Sequence, residues 1–302
     1  MRQFLLTNCF ILATVSTGLG LPPAGTEPGG KSSALEIFDA ALAKFESDRV
    51  ALRQWQYHQT LTTHQLDSTG KVVAKGTWHS IVRPGDPRPL EYTSKRVEGR
   101  LSFFEAGAEE QPQAQQDEKQ ASAPGRSTSS DPPGKPGPSP VTPAKASSKS
   151  KNQTEWVVQA VRKYKLRNRY VWKRLADGTA SGEEVYVLTF TPKPKQSASG
   201  REEQFFGRLA GQMWISKRDS TVLRAEGALQ SPSPLFWIIA RVTAFRFTYK
   251  LEPAHGSNRL LRVSRATAVT EVSFPFYKVR QKHWHNADRY EPRTPRRSKD
   301  RG

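Results

Sequence analysis

The stretch VTAFRFTYKL, residues 242–251, alternates apolar and polar side chains over most of its length. From position 245 onward the odd-numbered residues are phenylalanine, phenylalanine, tyrosine and leucine, and the even-numbered ones are arginine, threonine and lysine. A period of two is typical of a β-strand with one buried face and one face in water. The stretch therefore predicts a sheet whose aromatic face is covered by other parts of the chain.

Strand-like segments of the same kind recur along the sequence. The turn residues Asp67-Ser68-Thr69-Gly70 separate the first two, which indicates a tight connection between neighbouring strands. Repeated short connections favour a meander of antiparallel hairpins. The predicted strands are 55–63, 72–82, 90–97, 100–104, 163–170, 184–191, 211–216, 220–229, 242–251, 259–269 and 272–284.

Two helices are predicted beside these strands. Ser33 and Glu36 have the spacing of a capping box, in which each side chain satisfies a backbone amide at the helix start. A second, shorter helix is predicted over 154–162. The apolar stripe of the first helix comprises Leu35, Phe38, Leu42 and Phe45, widened by Ile37 and Ala41. We expect this stripe to pack against the sheet.

The N-terminus has the pattern of a cleavable secretory signal peptide over residues 1–20. Arg2 precedes an apolar core at 4–15, and small residues follow up to Gly20. A retained membrane anchor is the alternative, although this core is shorter than the ~20 residues that a span needs. Cys9 is the only cysteine and would leave with the signal peptide. An exported chain without cysteine indicates a bacterial envelope compartment, the periplasm.

Composition divides the chain after the predicted signal peptide into a domain, an insert within it and a basic tail. Residues 107–151 are rich in Gln, Ser, Pro, Lys and Gly and predict a disordered insert, because they offer almost no large apolar side chain. Both flanks are strand-like, so we interpret 31–291 as a single domain that this insert interrupts. Residues 292–302 form a basic tail, predicted to be disordered as well. The cations of this tail are Arg293, Arg296, Arg297, Lys299 and Arg301.

The charge balance favours anionic partners. There are 47 Lys and Arg residues against 28 Asp and Glu, which gives a net charge of +19. In an exported protein such an excess favours an anionic membrane surface over nucleic acid. The basic and aromatic stretch 164–174 could grip a single strand of nucleic acid, but a half-buried strand accounts for the order of its residues. We therefore expect no nucleic acid partner, and we expect the tail cations to contact anionic lipid.

Catalytic motifs are missing from the sequence. It contains no G-x-S-x-G elbow, no phosphate-binding glycine loop and no H-E-x-x-H pair. His283 and His285 share one strand face and are interpreted as a solvated pair, since the spacing offers no third metal ligand. We expect neither an enzyme nor a cofactor.

Two segments, GQMWISKRD at 211–219 and EEVYVLTFTPKP at 183–194, match a known pattern of neighbouring strands. The first is similar to the G-x-x-W-I-D strand and turn of LolA/LolB-like periplasmic lipoprotein carriers, the family that sorts lipoproteins to the outer membrane. The second is similar to the preceding strand of that family. Ser216 stands where the pattern often has Asp, and the 107–151 insert is a further departure. The resemblance implies an unclosed β-barrel, lidded by helices, that holds acyl chains on its apolar concave face.

The predicted fold is therefore α+β: a strongly curved antiparallel sheet with helices packed on its concave side. The predicted function is an exported carrier of lipid or of a lipid-modified protein. The alternative is a structural envelope protein with a filled core that docks on anionic lipid or polymer. Seven aromatic residues are predicted to be mostly buried on the concave face: Trp55, Tyr57, Trp78, Trp214, Phe245, Phe247 and Tyr249.

The apolar run LFWII at 235–239 has two open interpretations. It is either core, covered on both faces, or part of a rim at the mouth of the sheet. The candidate residues for apolar ligand binding are Trp55, Tyr57, Trp78, Trp214, Phe236, Trp237, Phe245 and Phe247.

Overall fold

The computed structural model describes residues 32–86, 90–102, 160–194, 197–236, 240–253 and 262–293. The helices are α1 (Ala34–Ala51), α2 (Leu166–Arg169) and α3 (Arg201–Phe206). The strands are β1 (Trp55–Leu66), β2 (Val72–Val82), β3 (Leu90–Glu98), β4 (Tyr170–Arg174), β5 (Gly178–Ala180), β6 (Glu183–Pro192), β7 (Leu209–Ser216), β8 (Val222–Leu229), β9 (Ser233–Phe236), β10 (Ala240–Pro253), β11 (Arg262–Ser273) and β12 (Lys278–Pro292).

All twelve strands belong to one antiparallel sheet. The order across it is β3-β2-β1-β12-β11-β10-β8-β7-β6-β4, with β5 beside β6 and β9 beside β10. The sheet is not closed, because β3 and β4 lie at its two ends. This confirms a mostly-sheet α+β fold. The first and last strands are neighbours, with Leu61 opposite His285, so strands from both sides of 107–151 share the sheet.

Helix α1 begins as the capping box predicts. The Glu36 amide donates to Ser33 Oγ at 3.2 Å, and the Ser33 amide donates to Glu36 Oε2 at 2.8 Å. The buried face of the helix carries Ile37, Phe38 and Ala41, which pack on Leu188 and Ile215 of β6 and β7.

One member of the predicted stripe was wrong. Leu35 is exposed, whereas Ile37 is buried. Successive helix positions are about 100° apart, so a stripe centred on Phe38 and Ala41 leaves Leu35 at its margin.

The predicted strand 163–170 was wrong. Residues 160–163 are helical, Lys165 has a left-handed φ of 50°, and α2 follows before β4 begins at Tyr170. The Tyr164 amide donates to Ala160 O at 2.9 Å, as in a helical turn. The apolar positions that suggested a strand are nevertheless buried, because the corner turns them inward. A strand and this helical corner would therefore bury the same apolar residues, so the apolar pattern did not distinguish between them.

Two further strand predictions need correction. Residues 100–102 are not in a strand. The segment 272–284 spans two strands rather than one, since β11 ends at Ser273 and β12 starts at Lys278. The connection is closed by the Phe274 amide, which donates to Tyr277 O at 2.8 Å, and it contains Pro275, which has no amide to donate to a ladder.

Five of the seven aromatic residues predicted to be buried are buried, namely Tyr57, Trp78, Phe245, Phe247 and Tyr249. Trp55 and Trp214 are half-buried. The predictions for the signal peptide at 1–20, the insert at 107–151 and residues 294–302 of the tail lie outside the described residues. Pro292, which was predicted to begin the disordered tail, is instead the last residue of β12.

Candidate ligand cavity

An apolar cavity of about 130 Å³ lies between α1 and one face of the sheet. Its volume is close to the ~150 Å³ of an engineered cavity that stays dry and binds benzene. The lining consists of apolar and aromatic residues: Phe38, Ala41, Leu42, Phe45, Val161, Leu166, Tyr170, Trp172, Phe190, Met213, Val222, Ala225, Phe247 and Tyr249.

Helix α1 forms one wall of the cavity. Four of its residues, Phe38, Ala41, Leu42 and Phe45, line the space at spacings of three, four and seven from the first, which is one helical face. The Phe38 ring packs on Trp172 of β4 with centroids 4.2 Å apart. Ala41 is small and adjoins the cavity directly, so its short side chain leaves space that a larger one would fill.

Two glycines shape the opposite wall. Gly211 of β7 and Gly227 of β8 are register partners, with Phe190 and Phe247 beyond them on either side. A Cβ at Gly211 would lie 2.5 Å from Phe190 Cζ, and one at Gly227 would lie 2.6 Å from Phe247 Cε1. Both rings therefore lie over bare backbone. Both rings are part of the cavity lining.

Two lining residues have polar groups that donate to backbone carbonyls. The Tyr170 hydroxyl donates to Phe206 O at 2.6 Å, and Trp172 Nε1 donates to Arg167 O at 3.1 Å. Burial raises the pKa of Tyr170, so the phenol stays neutral at physiological pH. No group on this list of lining residues carries a full charge. The cavity can therefore hold hydrocarbon, and its lining residues offer no charged group that would bind an ion.

Helix α1 also forms exposed ion pairs with residues of the 160–169 region. Two nitrogens of Arg167 donate to the Asp39 carboxylate at 2.8 Å, and Arg162 pairs with Glu46 at 2.6 Å. Exposed pairs of this kind contribute little to stability. The attachment of α1 to the sheet therefore depends mainly on its apolar face.

The sheet face that carries the cavity continues into a buried polar strip. Across the strands, Phe247 is followed by Ala268, His283 and Thr63, and Tyr249 is followed by Ala266 and His285. The side chains that cover this part of the face are thus small on β11 and polar on β12. The apolar cavity and the strip share one surface of the sheet.

The prediction that His283 and His285 form a solvated pair was wrong. His283 is 0% exposed and His285 is 4% exposed. Thr63 Oγ1 and His283 Nδ1 are hydrogen-bonded at 2.9 Å. Burial lowers the pKa of His283 to about 3 and that of His285 to about 4, so both rings are neutral. Within the described ranges no three His, Cys, Asp or Glu side chains cluster as metal ligands.

The predicted ligand-binding residues do not form one site. Phe247 lines the cavity, and Phe245 is adjacent, with ring centroids 6.0 Å apart. Tyr57 and Trp78 belong to two separate clusters further along the sheet. Trp55 begins β1, at the far end of that strand from the β1–β2 turn.

Trp214 lies on the other face of the sheet. Its neighbour Met213 lines the cavity, and successive strand residues point to opposite faces. The guanidinium of Arg224 stacks 4.3 Å from its ring. For Phe236 the structure describes the backbone in β9, and Trp237 lies outside the described residues.

The predicted contact residues for anionic lipid are mostly outside the described chain as well. Arg293 is described: its amide donates to Gln54 O at 2.8 Å, and its guanidinium forms an ion pair with Asp86. Arg296, Arg297, Lys299 and Arg301 lie beyond the last described residue. Their role stays a prediction.

Sequence reasoning missed several lining residues, notably Trp172, Phe190, Met213 and Ala225. A usable pattern exists in β7, where Leu209, Gly211, Met213 and Ile215 share one face. Trp214, which was predicted to bind the ligand, lies on the opposite face of that strand.

Comparisons with known proteins gave the following results. No protein-family model and no curated protein matches the chain. Solved structures similar to it include one described as an outer membrane lipoprotein-sorting protein domain from Vibrio parahaemolyticus, at 12% identity and a TM-score of 0.30, covering 88% of this chain and 94% of that one. A DUF1329 family protein from Desulfovibrio piger aligns at 13% identity and a TM-score of 0.32, covering 88% and 95%. A complex of MucA and MucB from Pseudomonas aeruginosa aligns at 10% identity and a TM-score of 0.24, covering 86% and 99%.

In the part of the chain that the structure describes, no helix is long and apolar enough to cross a membrane.

Proposed function

We propose that this protein is a non-enzymatic envelope carrier that binds an acyl chain, from a lipid or a lipid-modified protein, between α1 and the sheet. The observation that carries the proposal is the cavity of about 130 Å³ lined by apolar and aromatic side chains. Each methylene transferred from water into such a site contributes ~0.8 kcal/mol, so hydrocarbon binds without a catalytic or charged group.

The cavity as it stands accommodates only part of a long acyl chain. A longer one requires α1 to move away from β6 and β7. The attachment suits such movement, because the helix rests on side-chain packing and exposed ion pairs rather than on the sheet's hydrogen bonds. The bound chain would then replace the apolar contacts that α1 gives up.

The predicted export is consistent with the same proposal. The N-terminal sequence has the pattern of a signal peptide, and a hydrocarbon carrier is useful where acyl chains must cross an aqueous compartment. The alternative, a purely structural envelope protein, implies a filled core. Such a protein would have no use for the open space under α1.

A cavity-filling substitution tests the proposal. Ala41→Leu places extra carbons in the cavity, whereas Ala43→Leu places the same carbons on the exposed face of the same helix. Binding of a fluorescent fatty acid to the full chain should weaken at least about tenfold in Ala41→Leu and stay unchanged in Ala43→Leu. Equal binding by both variants, each folded by circular dichroism, would rule out this cavity as the acyl site.

A further inference from the structure

An aromatic hairpin tip lies between β11 and β12, at the end of the sheet where β1 also ends. Ser273 and Lys278 are the last register partners of the two strands, and residues 274–277 form the turn. The rings of Phe274 and Tyr277 are stacked, with centroids 4.5 Å apart and planes at 11°. The tip therefore has a defined shape.

The aromatic residues of the tip differ in how far they pack into the fold. Phe274 packs against the main core cluster of the sheet. Phe276 is 97% exposed and Tyr277 is 57% exposed, so Phe276 is the most exposed of the large apolar side chains in the described ranges. Such exposure is unfavourable in water, and packing among the residues that the structure describes gives no reason for it.

Turn geometry does not explain the aromatic residues either. The β1–β2 turn at the same end of the sheet has the sequence Asp67-Ser68-Thr69-Gly70, in which the Asp67 carboxylate accepts from the Thr69 and Lys71 amides. Polar residues of that kind close a turn at no cost in exposed apolar surface. The sequence Phe-Pro-Phe-Tyr thus points to a contact outside this chain.

Basic side chains stand directly behind the tip. Lys278 and Arg280 are exposed on β12, and Arg241 of β10 is exposed opposite Ser273. At ~3.4 Å per residue, Arg280 lies about 7 Å from Lys278 along the strand, within the ~8 Å screening length of physiological salt. Glu271 lies among them, 3.8 Å from Lys278, and the chain as a whole carries a net charge of +19.

We propose that the β11–β12 tip is a membrane-contact element that inserts Phe276 and Tyr277 into the interface of an anionic bilayer while Lys278, Arg280 and Arg241 face the headgroups. Aromatic side chains favour the boundary between headgroups and hydrocarbon, and cations near an anionic surface are attracted to it. The combination of an apolar point with a basic collar fits a lipid surface better than an apolar protein groove, which would leave the collar unmatched. The inference does not depend on the proposed acyl cavity.

Vesicle flotation of the full chain tests it. The parent should float with phosphatidylglycerol-containing vesicles and much less with phosphatidylcholine alone. The double variant Phe276→Ser, Tyr277→Ser should lose roughly ten- to hundredfold in vesicle partitioning, because it removes two inserted aromatic side chains. Arg280→Glu should weaken flotation at low salt and flatten its salt dependence.

The chain supplies matched controls. Tyr92→Ser removes an aromatic side chain that is 49% exposed on β3, level with Ala287 and so about 30 Å from Lys278 along β12. Arg96→Glu reverses an exposed charge on the same distant strand. Both should float like the parent, and the double variant should take up fluorescent fatty acid to the same extent as the parent does. A parent that floats with neither vesicle, or a double variant that floats as well as the parent, would overturn the proposal.

Discussion

The two buried histidines make the stability of this protein sensitive to mild acid. In the fold the pKa values of His283 and His285 are lowered to about 3 and about 4, whereas an unfolded histidine has a pKa near 6.5. As pH falls below about 6.5, the unfolded chain binds protons that the folded chain cannot. The stabilisation by these neutral rings is therefore fully present above that pH and is lost progressively down to pH 3–4.

The magnitude follows from the same values. At pH 5 an unfolded histidine is about 1.5 pH units below its pKa while the folded rings remain neutral, and each unit corresponds to ~1.36 kcal/mol. Each ring thus costs about 2 kcal/mol, and the pair costs about 4 kcal/mol, which is a large fraction of the 5–15 kcal/mol that typically stabilises a domain. Carboxylates contribute little to this loss, because most remain ionised at pH 5.

Urea unfolding at pH 7.5 and at pH 5 measures the effect, since the midpoint and slope give the free energy of unfolding at each pH. His285→Gln removes one titrating ring without breaking the bond between Thr63 and His283. The difference between the two pH values should therefore fall by about 2 kcal/mol, from about 4 to about 2. The control His79→Gln changes an exposed histidine and should leave the difference as in the parent.

If His285→Gln shows the same loss between the two pH values as the parent, then His285 is not held neutral by burial. If the variant lowers the free energy of unfolding equally at both pH values, the cause is lost packing. Only the change in free energy between the two pH values measures the titration.

Three further predictions concern stability and are measurable by the same unfolding assay. Ser33→Ala should cost about 1 kcal/mol, because the helix loses its N-terminal cap, and far-ultraviolet circular dichroism should show the helical signal melting earlier. Gly211→Ala should cost about 2 kcal/mol or more, since its Cβ would lie 2.1 Å from Glu226 O; a midpoint equal to that of the parent would contradict the close strand approach. Tyr170→Phe should cost about 1–3 kcal/mol, because the hydroxyl that donates to Phe206 O is removed from a buried carbonyl, and an unchanged midpoint would show that water replaces it.

The sequence by itself determined most of the sheet and the start of α1. The strand Val72–Val82 has the predicted bounds, and its burial alternates so that Ala74, Trp78 and Val82 share the covered face. The cap of α1 was equally local, since Ser33 and Glu36 satisfy each other's amides without help from the rest of the chain. Residues 163–170 mark the limit of this reasoning, because a helix end followed by a corner buries the same positions as a strand would.

Tertiary structure alone decided the candidate site. The cavity lies between α1 and side chains of several strands, among them the rings of Phe190 and Phe247, which lie against Gly211 and Gly227 of neighbouring strands. Nothing within one strand reveals which glycine its neighbour presents. The burial of His283 and His285 likewise follows from parity in β12, whose alternate positions are Lys278, Arg280 and Lys282. Alternation separates these charges from the histidines, because successive strand residues point to opposite faces. The sheet shows which of the two faces is covered, and it is the face with the histidines.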